Sequence, residues 1–164
     1  MDSAQLGSLM DRLAAALELY ARQWCDEPED VVQEAFVKLA AQAPTPENPN
    51  AWLFRTVRNR AINQGIAGQR RRRHESEAAD KARPWFETDP ATSKNALIDS
   101  NSAQAALVGL PLDQREIIVA HLWGGLTFDQ IGELAGRSAS STHRLYQSGL
   151  RTLRERLGVP CRTT

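Results

Sequence analysis

Cysteine is scarce in this chain of 164 residues: Cys25 and Cys161 stand far apart and lack metal-ligand spacing. That count excludes a disulfide framework, and a reducing, cytoplasmic compartment fits it best. Long apolar runs are missing as well. Nowhere do about 18 apolar residues follow one another, so no membrane span is expected. The opening MDSAQLGSLMDR has neither the basic start nor the apolar core of a secretory signal. Aromatic residues make up 6%, and no segment alternates apolar and polar residues over a strand length. The three histidines, His74, His121 and His143, fall in separate elements with no carboxylate or cysteine at ligand spacing, so no metal site is expected. A Walker-type or dinucleotide glycine loop is also missing. Neither a cofactor nor an enzymatic centre is expected.

Net charge is the last thing the chain lacks, because 20 basic and 20 acidic residues cancel. The cancellation conceals four blocks. Residues 1–54 carry a net −6, and residues 55–73 carry +7 without a single acid. Residues 74–136 return to −6, and residues 137–164 carry +5. Two compact basic segments suit phosphate, while the acidic blocks must meet something else.

What is abundant is helix-forming: Ala, Leu, Arg, Gln and Glu dominate, which predicts an all-α chain. Leu9, Leu13, Leu17, Tyr20 and Trp24 share one helical face and predict a helix over Ser8–Trp24. Asp26-Glu27-Pro28 interrupts it with helix-start chemistry. A second helix follows over about Glu29–Gln42, with Val32, Ala35, Phe36 and Leu39 inward and Asp30, Gln33, Glu34 and Lys38 outward. Residues 43–50 (APTPENPN) hold three prolines in eight residues and read as a stiff, exposed loop. A third helix starts near Asn50 or Ala51 and buries Trp52, Leu53, Phe54, Val57, Ala61 and Ile62, with Trp52 read as core. Gly65 and Gly68 are expected to loosen it before the run Arg70-Arg71-Arg72-Arg73.

The stretch from His74 to about Asn95 is polar, proline-containing and aperiodic, so it reads as a flexible linker. Within it, Trp85-Phe86 reads as a docking element, since two large aromatics are costly to leave in water. The division is therefore two small helical domains, 1–74 and 96–164, joined by residues 75–95. In the second, one helix runs to Leu110-Pro111 and another over Leu112–Trp123. Thr127 caps a short helix over Phe128–Ala135, Gly136 turns the chain, and Ser138 caps a last helix over about Ala139–Leu157.

Residues 124–157 thus have the organisation of a helix-turn-helix. Thr142, Tyr146, Gly149, Leu150, Leu153 and Leu157 form the buried stripe of its last helix. His143, Arg144, Gln147, Ser148 and Arg151 lie on the other side, a set able to read base edges and phosphates. The competing reading is a plain helical hairpin with a solvated basic face. A short capped helix, a glycine turn and a basic helix end together favour DNA binding.

At this point DEPEDVVQEAF, then NAWLFRTVRNRAIN followed by RRRR, then LPLDQREIIVAHLWGGLTFDQIGELAG, resembles the sigma-70 family of RNA polymerase sigma factors. The similar group is the extracytoplasmic-function (ECF) subfamily, whose members carry two promoter-reading domains, and the likeness runs from about Leu13 to Leu157. It implies core RNA polymerase and promoter DNA as partners, with an anti-sigma factor as a further candidate. It implies that Asp30, Gln33 and Glu34 grip the clamp coiled coil of the polymerase largest subunit. Asn48, Asn50, Arg55, Arg58, Asn59 and Arg70, Arg71, Arg72 and Arg73 would hold the −10 element, with the loop 43–50 capturing an extruded base. Ser140, Ser141, His143, Arg144, Gln147, Ser148 and Arg151 would read the −35 element. Leu145 and Ser148 depart from the resemblance, since basic residues are usual there, and Asn63 stands where Asp is common. The seven residues after Leu157 leave no room for a fused sensor domain, so regulation is expected from another chain. The alternative from a different class is a stand-alone helix-turn-helix regulator that binds duplex DNA without polymerase.

Overall fold

The computed structural model describes residues 2–75 and 100–158. The expected linker from residue 76 onward, its Trp85-Phe86 pair and Cys161 lie outside the described residues. Among these residues every regular element is a helix.

Helix α1 (Ser3–Ala21) starts earlier than its apolar stripe suggests, because Asp2 caps it. The Asp2 carboxylate accepts from the Gln5 backbone N–H at 2.7 Å, and the Gln5 side chain accepts in return from the Asp2 N–H at 3.2 Å. This reciprocal box satisfies two otherwise free amides. Helix α2 (Pro28–Ala40) opens with Pro28 at its first position and Glu29 and Asp30 in its first turn, where the helix dipole favours acids. Helix α3 (Pro49–Glu75) follows the proline-rich loop and is capped by Asn48, whose side-chain oxygen accepts from the Ala51 N–H at 3.0 Å.

Helix α3 corrects one expectation. It runs 27 residues without a break through Gly65 and Gly68. At Gly65 the reason is contact rather than flexibility: a Cβ there would collide with the Trp24 carbonyl. The glycine lets α3 press against the turn that follows α1. The arginine run therefore continues the helix instead of following a loosened end.

The second unit comprises α4 (Ser100–Val108), α5 (Leu112–Leu122), α6 (Phe128–Ala135) and α7 (Ala139–Arg156). Thr127 and Gln130 form a capping box at the start of α6. Gly136 ends α6 with φ 68°, a left-handed geometry that costs a side-chain-bearing residue energy. Ser138 then caps α7 through the Ser141 N–H at 3.3 Å. Leu122 and Trp123 are exposed at the end of α5 rather than part of its inner face.

The two units do not sit apart. Helix α1 packs on α5 and α3 packs on α6. Leu17, Tyr20, Leu53 and Phe54 on one side and Ile117, Ile118 and Ile131 on the other belong to one continuous apolar cluster. Gly124 permits a close approach, since a Cβ there would run into the Phe54 ring. Nothing in the apolar pattern of either unit announces this contact, because the same stripes also pack within each unit.

Replacing Thr127 by Ala removes the side-chain half of the α6 cap. The expected loss is about 1 kcal/mol of stability, seen as a lower urea midpoint at unchanged slope.

Candidate nucleic-acid interface

The expected reading face of α7 forms at its N-terminal half. Ser140, His143, Arg144, Gln147, Ser148 and Arg151 are exposed, and Ser141 is half-buried. The opposite side is anchored by Thr142, fully buried, whose hydroxyl donates to the Ser138 carbonyl at 3.0 Å. His143 is held in place by neighbours: its ring meets Phe128 edge-on at 4.9 Å, and Gln147 lies 3.4 Å from its Nε2. Phe128 in turn stacks on His121, whose Nδ1 lies 2.7 Å from the Leu126 carbonyl oxygen. His121 is thus a satisfied residue at the core edge. Ser148 accepts from the Gln114 side chain at 3.4 Å, so α5 occupies part of its hydrogen-bonding capacity.

Leu145 has a structural explanation. It is half-buried and packs against the apolar cluster with Tyr146, Leu150 and Leu153. A basic side chain there would lose that contact. Arg137, in the turn before α7, was not picked out from the sequence; it pairs with Asp113 of α5 at 2.5 Å and ties the turn to the helix before it. Its only sequence signal is its place in the second basic block.

In the first unit, Asp30 and Gln33 are exposed on α2. Glu34 is the engaged member of that trio, with Lys38 at 3.1 Å and Arg60 of α3 at 2.7 Å. The Lys38 hydrogen bond, with the Arg60 charge beside it, holds the Glu34 carboxyl below the usual carboxylate range. Val37 stands beside these polar residues with 64% of its surface exposed. An apolar side chain left in water on that face is a feature the polar pattern did not bring out.

The −10 candidates fall on one helix, but they are not equivalent. Asn59 and Arg70 are exposed along α3, and Arg71, Arg72 and Arg73 lie in its last turns. Asn48 already uses its side-chain oxygen as the α3 cap. Asn50 is half-buried and lines a shallow cavity of about 720 Å³ between the proline loop and α1, together with Thr45 and Pro49. Gln5, Ser8 and Arg12 of α1 form the opposite wall. No sequence signal linked α1 to that loop.

Arg55 and Arg58 reach the other unit. Arg55 lies 3.7 Å from Glu133 of α6, with both side chains largely in solvent. Arg58 is half-buried, with its Nε 2.6 Å from Glu116 Oε1 of α5 and its guanidinium over the Trp24 ring at 5.8 Å. Burial alone would lower the Arg58 pKa, but the hydrogen bond and charge of Glu116 outweigh it and raise it. Tyr20 donates to the same Glu116 oxygen at 2.8 Å. Burial first, and then the Glu116 charge, push its phenol well above the usual range, so Tyr20 stays a donor. Sequence reasoning missed Glu116 because an acid beside Arg115 in α5 looks like surface.

These geometries can be set beside known proteins. Residues 9–75 match the family model described as Sigma-70 region 2, and residues 106–155 match Sigma-70, region 4. A search of curated proteins gave no match. Among solved structures, the chain is similar to the sigma factor RpoE from Bartonella quintana, determined in complex with the anti-sigma factor NepR. That likeness has a TM-score of 0.75 and 23% identity and covers 96% of this chain and 99% of the other. It is also similar to CnrH, determined with the cytosolic domain of CnrY, with a TM-score of 0.58 and 19% identity over 98% of this chain and 92% of the other. At such identities both are likenesses of fold.

Leu145→Arg, which restores the basic residue usual in the resemblance, is expected to cost about 1 kcal/mol of stability by giving up half-buried packing. A thermal melt of the full chain checks it.

Proposed function

Because the chain belongs to the sigma-70 family, we propose that it binds core RNA polymerase as an ECF-type sigma factor and directs it to promoters through −10 and −35 elements. The observation that carries this reading is the order of two matched segments, region 2 at residues 9–75 and region 4 at residues 106–155. The exposed donors and acceptors at the start of α7 support it independently.

The division of labour follows from charge. Asp30 and Gln33, exposed on the acidic α2, meet a polymerase helix, with Glu34 positioned by Lys38 and Arg60 and Val37 adding apolar area. Arg55, Arg58, Asn59 and the arginine run hold the melted −10 strand, where guanidinium forks grip phosphate. The cavity beside Asn50 takes an extruded base, with α1 as its second wall. His143, Arg144, Gln147, Ser148 and Arg151 read the −35 duplex in the major groove, with Ser140 and Ser141 near its phosphates. Residues 1–74 and 96–164 are the two working domains. Each binds DNA weakly alone, and the tether makes the second contact nearly intramolecular.

Polymerisation belongs to the core enzyme, and we assign this chain no reaction of its own. No helix of the described residues is long and apolar enough to cross a membrane, and the site of action is the cytoplasm, where core polymerase works. An anti-sigma factor is a partner, by likeness to the RpoE chain determined with NepR.

The test is transcription in vitro with core enzyme on a fragment library, followed by mapping of start sites. Initiation at a shared pair of elements is expected only when the chain is added. Tight specific binding to duplex DNA without polymerase, together with failure to bind core enzyme, would replace the reading with that of a stand-alone regulator. Two variants refine it. Asp30→Arg combined with Gln33→Ala should weaken core binding about tenfold or more without changing helicity. Arg144→Ala should cost about 1–3 kcal/mol of promoter binding and relax preference in the −35 element alone.

A further inference from the structure

On the exposed face of α7, one hydrogen bond and one ring contact restrict what two side chains can offer to a base. His143 and Gln147 lie a turn apart, and the Gln147 amide nitrogen stands 3.4 Å from His143 Nε2. An amide nitrogen can only donate, so Nε2 accepts and the His143 proton sits on Nδ1. The outer edge of Gln147 is then left with its carbonyl oxygen and its second N–H. One acceptor beside one donor is the complement of adenine, which shows its N6 donor and N7 acceptor in the major groove. Guanine shows two acceptors there and needs two donors.

Two exposed side chains would turn freely in water, and here a third residue limits them. Phe128, the first residue of α6, meets the His143 ring edge-on at 4.9 Å. The Phe128 ring is itself stacked on His121 at 4.4 Å and tilted against Tyr146 at 5.2 Å. His121 is fixed in turn, because its Nδ1 donates to the Leu126 carbonyl at 2.7 Å. The capping box of Thr127 and Gln130 sets where α6, and with it Phe128, begins. A line of contacts thus runs from α5 through Phe128 to the face of α7. Resting on the reading of that face as the one that meets the −35 duplex, we infer that Gln147 selects an adenine there. His143 orients the Gln147 amide, and Phe128 is the positioning residue for both.

Base choice then depends on geometry rather than on added charge. A pure donor at position 143 has the opposite effect from an accepting imidazole. It can take only the Gln147 oxygen, so the amide turns over and points its nitrogen outward, where its N–H groups suit the O6 and N7 of guanine. Loss of the Phe128 ring frees the imidazole and with it the amide, which then serves several bases about equally.

Core polymerase carrying the full-length chain is given promoter templates with each base in turn at every −35 position, and relative initiation is scored. Gln147→Ala locates the position that Gln147 reads. There the parent should favour adenine about tenfold over guanine. His143→Lys should turn that preference toward guanine. Phe128→Leu should level it to about twofold or less, and Phe128→Tyr, which retains the ring, should keep it. Nitrogen NMR of the free chain in mildly alkaline solution gives a readout that a merely structural role would not move. His143 should carry its proton on Nδ1, as His121 does, and Phe128→Leu should release His143 while His121 keeps its bond. An adenine preference that survives His143→Lys, or that a folded Phe128→Leu chain retains, would overturn the assignment. So would a different base preferred at the position that Gln147→Ala identifies. Where Phe128→Leu fails to fold, His143→Lys and the His143 tautomer decide. If no form initiates with core polymerase, the proposed function fails and the base assignment with it, whereas the tautomer still reports whether His143 holds Gln147.

Discussion

A carboxylate removed from water must be met by donors, and in this chain the donors for Glu116 come from the other half of the molecule. Tyr20 and Arg58 converge on one oxygen of Glu116. Each member depends on the others: burial without the pair would disfavour the charge on both Glu116 and Arg58. The apolar contacts around them, Phe54 with Tyr20 on one side and Ile117 with Ile118 on the other, exclude water and make the pairing stronger. Buried ion pairs add little net stability compared with apolar packing, yet they specify how two surfaces register. This contact and the apolar cluster around it join the region 2 and region 4 units.

The same contact gives the charge blocks a purpose. A chain with zero net charge looks ill-suited to nucleic acid until its charges are placed in sequence and then in space. The second basic block sits on α7 and in the turn before it, where Arg144 and Arg151 are exposed. The first lies along α3, where Arg58 and Arg55 meet acids from region 4 and Arg60 meets Glu34 from α2. Arg55 and Arg58, to which the proposed function gives the −10 strand, are thus drawn into contacts within the chain.

Local chemistry was legible where the physics is local. The Thr127 cap, the turn at Gly136 and the Ser138 cap each depend on a few consecutive residues, and all three stand where their spacing placed them. The unbroken α3 was not legible, because glycine lowers helix propensity while the contact with Trp24 that requires Gly65 is set by α1. Leu145, which departs from the basic residue usual in the resemblance, packs against the apolar cluster, since a one-residue shift around a helix separates a reading face from a core face. The wall that α1 supplies to the cavity by the proline loop has no counterpart in sequence, because all of α2 separates them along the chain and only the fold brings them together.

By itself the sequence determined the all-helical class, the helix-turn-helix, the set of residues exposed on α7 and the order of the charge blocks. All of these rest on periodicity, capping and charge within a turn or two of helix. Tertiary structure alone decided that Glu116 is buried, that Arg55 and Arg58 are occupied, and that the two units share one apolar cluster. Those facts join residues 58 to 96 positions apart. At that range no helical period or cap connects them, and only the packing of one unit on the other does.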